Sequence, residues 1–228
     1  MLLVELPCTD YSEALEIQGR FVDRKIGKRG PDVLLLLEHP PTVTLGTRGS
    51  ESDLLVPVEG LVRQGVALYR VDRGGEATYH GPGQLVAYPI VDLRRRGLSV
   101  RDYVRALEET IIKSLAIRGV KGFRQHRKVG VWTGPRGKIA SIGVRIRQRI
   151  TSHGFSINVE VPVDPCELIV SCGMPDIRMV NLNQLAASPV SVEEFRGTVA
   201  EAFCEVFGVS LERSSLEEAV RTMNVVPK

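Results

Sequence analysis

No stretch of this sequence stays apolar for long. The longest near-apolar run, Val33 to Leu37, falls far short of the roughly 18 residues a membrane helix needs. The N-terminus, MLLVELPCTDYSE, has neither a basic start nor an export cleavage pattern, so the expectation is a soluble, cytosolic chain. A Gly/Ser/Pro-rich linker is missing too, and the 228 residues read as one domain spanning 1–228. Cysteines are few (Cys8, Cys166, Cys172 and Cys204) and form no C-x-x-C pair. A reducing compartment leaves them as structural thiols or a nucleophile. Charge of one sign is not in excess: 30 Lys and Arg against 27 Asp and Glu give +3, too little to imply a nucleic-acid protein. The denser patches, Arg94 to Arg96, Arg118 to Lys128, and Arg145/Arg147/Arg149, suit either solvated faces or an acidic docking partner. With 43% hydrophobic and 25% charged residues and no internal repeat, the chain can bury a substantial core, which excludes collagen, coiled coil and disorder.

The periodicities give a mixed order of elements. Leu2 to Leu6 reads as a strand. A helix follows over Tyr11 to Ile26, with Asp10 and Glu13 as its start signal. Val33 to Glu38, apolar throughout and bounded by prolines, predicts a strand covered on both faces. Further strands are predicted at Thr42 to Leu45, Ala67 to Val71, Leu85 to Val91, Val129 to Trp132, Ile139 to Arg147 and Phe155 to Val161, with a short helical turn at Leu61 to Gln64. The glycines of Arg73 to Gln84 predict a loop. Ser99 with Asp102, and Ser191 with Glu194, open two long helices. Such an order belongs to an α+β or mixed α/β fold.

Three places carry polar groups suited to chemistry. The stretch Arg73-Gly74-Gly75-Glu76-Ala77-Thr78-Tyr79-His80-Gly81-Pro82-Gly83-Gln84 is either an elaborate hairpin turn or a loop whose backbone approaches a ligand. Gly134 to Lys138 is not a phosphate loop, because Trp132 stands at the first glycine and Ile139 at the magnesium-binding hydroxyl. Lys138 starts a strand. If the alternation runs without a bulge it shares a face with Ala140, Ile142, Val144 and Ile146, where desolvation favours the neutral amine of a general base; a lysine reaching for water is the plainer alternative. Cys172, between Ser171 and Gly173 in a turn after a helical stretch from Asp164, is more accessible than Cys204, which sits in a helix among core residues, and is the best nucleophile candidate of the four, a free buried thiol being the plainer alternative. His39 and His126 lie beside turns and are expected to face solvent; His80 and His153 lack metal-ligand spacing, so no metal is expected.

Taken together, Arg73 to Gln84, Lys138-Ile139-Ala140-Ser141-Ile142-Gly143-Val144-Arg145 leading to His153-Gly154-Phe155-Ser156-Ile157-Asn158, and Ser171-Cys172-Gly173 resemble the lipoyl(octanoyl) transferase family in content, order and spacing. The resemblance spans nearly the whole chain. It implies a single domain of the biotin/lipoate protein ligase catalytic type. It further implies an octanoyltransferase that moves an octanoyl group from acyl carrier protein to lipoyl domains of 2-oxoacid dehydrogenases and to glycine cleavage H protein, with no cofactor, nucleic acid or membrane, as a cytoplasmic monomer. Cys172 is implied as the acyl-thioester nucleophile and Lys138 as its acid/base partner. Arg73, Gly74, Gly75, Glu76, Ala77, Thr78, Tyr79, His80, Ser141, Ile142, Gly143, Gly154, Phe155 and Ser156 match positions lining the acyl site. Ile142, Val144 and Phe155 are available for the acyl tail, and the turns at Gly74-Gly75 or Cys172-Gly173 for the oxyanion. The chain departs from the family at Ser171, commonly proline, and at Val180-Asn181, commonly Thr-Ser before the leucine. The competing readings are an ATP-dependent lipoate or biotin ligase, which needs no Cys172, and a non-catalytic module binding carrier or lipoyl domains.

Overall fold

The structure, a computed structural model, describes residues 1–27, 30–162, 167–170, 173–174 and 176–222. Along the chain these form β1 (Leu2–Cys8), α1 (Tyr11–Ile26), β2 (Val33–Glu38), β3 (Thr42–Leu45), α2 (Val58–Arg63), β4 (Ala67–Arg70), β5 (Ala77–His80), β6 (Gln84–Ile90), α3 (Val100–Ile117), β7 (Phe123–Gln125), β8 (Lys128–Trp132), β9 (Gly137–Arg147), β10 (Ile150–Asn158), β11 (Arg178–Met179), α4 (Val192–Phe207), β12 (Glu212–Arg213) and α5 (Leu216–Thr222). The fold is mixed α+β. One large sheet runs in the order β12-β1-β2-β6-β10-β9-β8-β7, with β11 beside β9, and a small sheet runs β4-β3-β5.

Strand β2 shows why the large sheet is covered on both faces. Its residues alternate, Leu34 and Leu36 packing with α3 and α4 through Leu107, Ile111, Phe195 and Phe203, and Val33, Leu35 and Leu37 packing with α1 through Ile17, Phe21 and Val22. A strand apolar at every position is what two buried faces require. The helices begin where short polar side chains cap them: the Asp10 carboxylate accepts from the Ser12 N–H at 2.8 Å, the Ser99 hydroxyl from the Asp102 N–H at 3.1 Å, and Ser191 with Glu194 forms a reciprocal capping box.

Three expectations change. The segment expected as loop contains β5, because Ala77 to His80 pairs antiparallel with Thr42 to Leu45. Strand β10 starts at Ile150, since Ile150 to Ile157 pairs with β9. The helix α4 ends at Gly208, whose φ of 62° suits glycine, and β12 and the short α5 follow. The alternation of β9 is also broken near Lys138. Val131 opposes Ala140 but Trp132 opposes Lys138, so β9 carries an extra residue there. Ile139 joins Ala140 in the core cluster, whereas Lys138 turns toward Gly130 and Trp132.

Strands β6 and β10 approach each other at Gly154, where any Cβ would collide with the Ala87 carbonyl oxygen and the Pro89 ring. By contrast, exposed Gly197 within α4 has nothing within 4 Å of a Cβ position. Gly197→Ala should raise unfolding stability by about 0.5–1 kcal/mol, and Gly154→Ala should lower it by about 1–3 kcal/mol. Urea denaturation of both variants checks the pair; equal effects would contradict the register at Gly154.

Candidate active site

The site forms where the small sheet meets the edge of β9. Arg73 makes the joint: its buried guanidinium donates to the Thr44 hydroxyl at 2.7 Å, to the Thr44 carbonyl at 2.9 Å, to the Glu76 carbonyl at 3.0 Å and to the Gly74 carbonyl at 3.1 Å. The Gly74 N–H donates to the Val144 carbonyl at 3.0 Å. Gly143 allows this approach, since a Cβ there would come within 2.9 Å of both Arg73 Cδ and the Gly74 oxygen. Being a strand, β5 sends alternate side chains to opposite faces. Thr78 and His80 join Arg73, Tyr11, Val86 and Tyr88 around a narrow slot, whose other wall is Ser141, Gly143, Gly154, Phe155 and Ser156. Ala77 and Tyr79 turn instead into the apolar cluster of the small sheet.

Next to the slot, a cavity of about 400 Å³ is lined by Gly74, Gly75, Glu76, Lys138, Ile142, Val144, Val104 and Met174, among others. Ile142 and Val144 thus belong to this wider space, and Phe155 to the slot. Lys138 is buried, 1% exposed. Its ammonium lies 5.5 Å from the centre of the Trp132 ring, and its stem lies against Gly130, where a Cβ would come within 2.8 Å of Lys138 Cε. Burial tends to raise the Glu76 pKa, but hydrogen bonding and charge from Arg48, with the Lys138 charge in addition, hold it below the ordinary carboxylate value. Trp132 and Gly130, which the sequence pattern did not single out, form the recess around the Lys138 side chain.

Cys172 and Ser171 lie outside the described residues, as do residues 163–166, where the stretch expected to be helical begins. Their neighbours are placed. Gly173 packs against the Glu76 side chain, 3.5 Å separating its Cβ position from Glu76 Cγ, and Met174 lines the cavity that holds Lys138. The chain then pairs in parallel with β9, Met179 opposite Lys138, and the Val180 N–H donates to the Lys138 carbonyl at 3.0 Å. Of the backbone donors considered for an oxyanion, the Gly74 N–H is engaged by Val144 and the Gly173 N–H by the Val170 carbonyl at 3.2 Å. Among the described residues Gly75, with φ 105°, remains a candidate in its turn.

Behind the slot lies a buried polar network. His39, expected at the surface, is fully buried; its Nδ1 donates to the Thr9 carbonyl and its Nε2 accepts from the Tyr88 hydroxyl, both at 2.7 Å. His80 Nδ1 meets Gln84 Oε1 at 2.7 Å, and Gln84 Nε2 donates to Asn158 Oδ1 at 2.9 Å, so the unprotonated nitrogen of His80 is Nε2. Burial brings the pKa of His39 down to about 4 and that of His153 down to about 4; burial, then the neighbouring His39, holds His80 well below its ordinary value. His126 is exposed. Among the described residues no His, Cys, Asp and Glu cluster could hold a metal ion, and no helix is long and apolar enough to cross a membrane.

The chain that carries this site has known relatives. The family model described as lipoyl protein ligase A/B catalytic domain matches residues 10–204, and the chain belongs to that family. Within it the chain groups with curated octanoyltransferases, enzymes of the acyltransferase class. It is 40% identical over 89% of its length to the octanoyltransferase of Pelobacter propionicus, covering 93% of that protein. It is 43% identical over 95% of its length to that of Gloeobacter violaceus, covering 94% of it. A solved bipartite lipoate protein ligase from Thermoplasma acidophilum, studied with its E2 lipoyl domain, superposes with a TM-score of 0.73 at 16% identity, covering 100% of this chain and 99% of that one, a likeness of fold.

The three buried histidines give a pH dependence with a definite sign. Each has a folded-state pKa below its unfolded value of about 6.5, so the unfolded chain takes up protons first as the pH falls. Stability should be at its full value above about pH 6.5 and decline as pH drops toward the value of about 4 for His39 and His153. Urea midpoints across that window check this. A flat profile would contradict burial of the three rings in neutral form.

Proposed function

We propose that this acyltransferase moves an octanoyl group from acyl carrier protein to a lysine of lipoyl-dependent proteins, the lipoyl domains of 2-oxoacid dehydrogenases and glycine cleavage H protein, through a thioester on Cys172. The observation that carries the reading is the convergence on one cavity of the buried Lys138 and the residues that immediately follow Cys172, Gly173 and Met174. On this reading the chain is one catalytic domain, acting as a cytoplasmic monomer without a cofactor.

The chemistry balances with two side chains. Neutral Lys138 takes the Cys172 thiol proton; the thiolate attacks the carrier thioester; the tetrahedral adduct expels the carrier thiolate, which receives the proton back from the Lys138 ammonium. The acceptor amine then attacks the acyl-enzyme and gives a proton to Lys138, and collapse releases the amide and the Cys172 thiolate. An amide is more stable than a thioester, so the sequence runs downhill without ATP. The Lys138 ammonium also favours the thiolate, whose unperturbed pKa is about 8.5. The Gly75 N–H, or that of Cys172, faces the oxyanion. Arg73, Thr78, His80, Ser141, Gly143, Gly154, Phe155 and Ser156 hold the acyl chain, with Gly74, Glu76 and Ile142 around the reacting carbonyl. Ala77 and Tyr79 support β5 from its other face.

Incubation with octanoyl-loaded carrier protein and a lipoyl domain, without nucleotide, should yield the octanoyl amide. Lys138→Ala should slow transfer by about 10²–10⁴-fold, the usual range for a lost acid/base, and Lys138→Arg should not restore it, because a guanidinium does not give up its proton. A requirement for ATP would favour a ligase, and transfer at the parental rate by Lys138→Ala would exclude the dyad.

A further inference from the structure

We infer that His153 is the partition that limits acyl-chain length, separating the slot from an outer cavity able to take the tail of longer chains; this rests on the octanoyl-transfer reading. Three spaces lie one beside the next along β9. The cavity at Lys138 and the slot share Arg73, Thr78, Ser141 and Gly143. Beyond the slot, an outer cavity of about 500 Å³ lies between α1, β4 and the β9–β10 pair, with Leu15, Val22 and Val71 as apolar wall and Arg145 and Arg147 at its rim. His153 is the residue that lines both the slot and the outer cavity.

Its backbone explains how it comes to stand there. Alternation along β10 would send His153 to the same side as Phe155 and Ile157, which pack in the cluster under α3 and α4. Instead its φ is 54°, a left-handed conformation uncommon outside glycine, asparagine and aspartate. The ring accordingly meets Tyr88 edge-on at 6.3 Å on the α1 side, and the His153 backbone N–H donates to Gln18 Oε1 at 2.7 Å.

The slot measures about 20 Å³, little more than the space one water needs, so an octanoyl chain must push a wall aside. Three of the large polar side chains around it are tied. Arg73 is held by Thr44 and two carbonyls beyond it, Tyr88 by His39, and His80 by Gln84. The His153 ring is held least: Nδ1 is buried without a hydrogen-bond partner, and Nε2 lies 3.3 Å from the Asp72 carboxylate, which Arg145 also holds at 2.7 Å. Behind it is the empty outer cavity. The ring yields enough for an octanoyl tail, and its remaining bulk stops a longer one.

The test compares rates of transfer from carrier protein loaded with octanoyl, decanoyl or dodecanoyl groups by the parent, His153→Gly and His153→Asn. Both substitutes tolerate positive φ, so the fold should survive. In His153→Gly the dodecanoyl-to-octanoyl ratio should rise by at least roughly tenfold, the lower end of what one methylene commands in an apolar pocket, and His153→Asn should fall between it and the parent. Adding Leu15→Trp to His153→Gly, which refills the outer cavity, should cancel the gain. Octanoyl transfer by the parent with an unchanged ratio in folded His153→Gly rejects the partition alone. Loss of transfer with every chain length in both folded variants also overturns it, making His153 a positioning residue. A parent that transfers no octanoyl group overturns the transfer reading, and the partition with it.

Discussion

The site depends on one buried cation. Arg73 stands where the small sheet must be fastened to the large one, and its guanidinium gathers the Thr44 hydroxyl and carbonyl and the Glu76 and Gly74 carbonyls into one joint. Burying a guanidinium is costly unless its N–H groups are bonded, and satisfying them here fixes the path of the chain from Arg73 to Glu76. That path lays Gly74 on Val144 and opens the slot against Ser141 and Gly143. The glycines have a matching role: a side chain at Gly143 would strike Arg73 itself.

A second constraint acts at the other end of the site. The chain that follows Cys172 returns along β9, so Met179 and Val180 clasp the backbone of Lys138. The lysine stem lies in a recess made by Gly130 and Trp132, and an extra residue in β9 turns it off the core face. Two distant parts of the sequence are thereby brought to one cavity. The neighbouring slot, by contrast, is nearly closed and is backed by a polar network in which His39 bonds the Thr9 carbonyl and the Tyr88 hydroxyl, and His80 bonds Gln84.

Much of this was legible from residues alone. The boundaries of α1, β2 and β3 follow from caps, prolines and apolar runs, and match residue for residue. Strand β5 was hidden because the glycines around it signal a loop, and only pairing with β3, a long-range contact, makes Ala77 to His80 extended. The same strand decides which of the motif's side chains line the slot. His39 looked exposed because it neighbours prolines, yet it is buried against Tyr11 and Tyr88, residues whose helical and strand periodicity marked them only as core. The side-chain direction of Lys138 depended on a bulge, and that of His153 on a single positive φ; neither leaves a trace in periodicity. The identity of the family, carried by three separated motifs, was clearer than the orientation of the residues within them.

The central claim is that the acyl group rests on Cys172 between donor and acceptor. Intact-mass measurement of the purified chain after brief exposure to octanoyl carrier protein, without acceptor or nucleotide, tests it most directly. The account predicts a gain of one octanoyl group, located on Cys172 by peptide mapping and absent in Cys172→Ala. No adduct in a preparation that still carries out complete transfer, or an adduct that persists in Cys172→Ala, would contradict it.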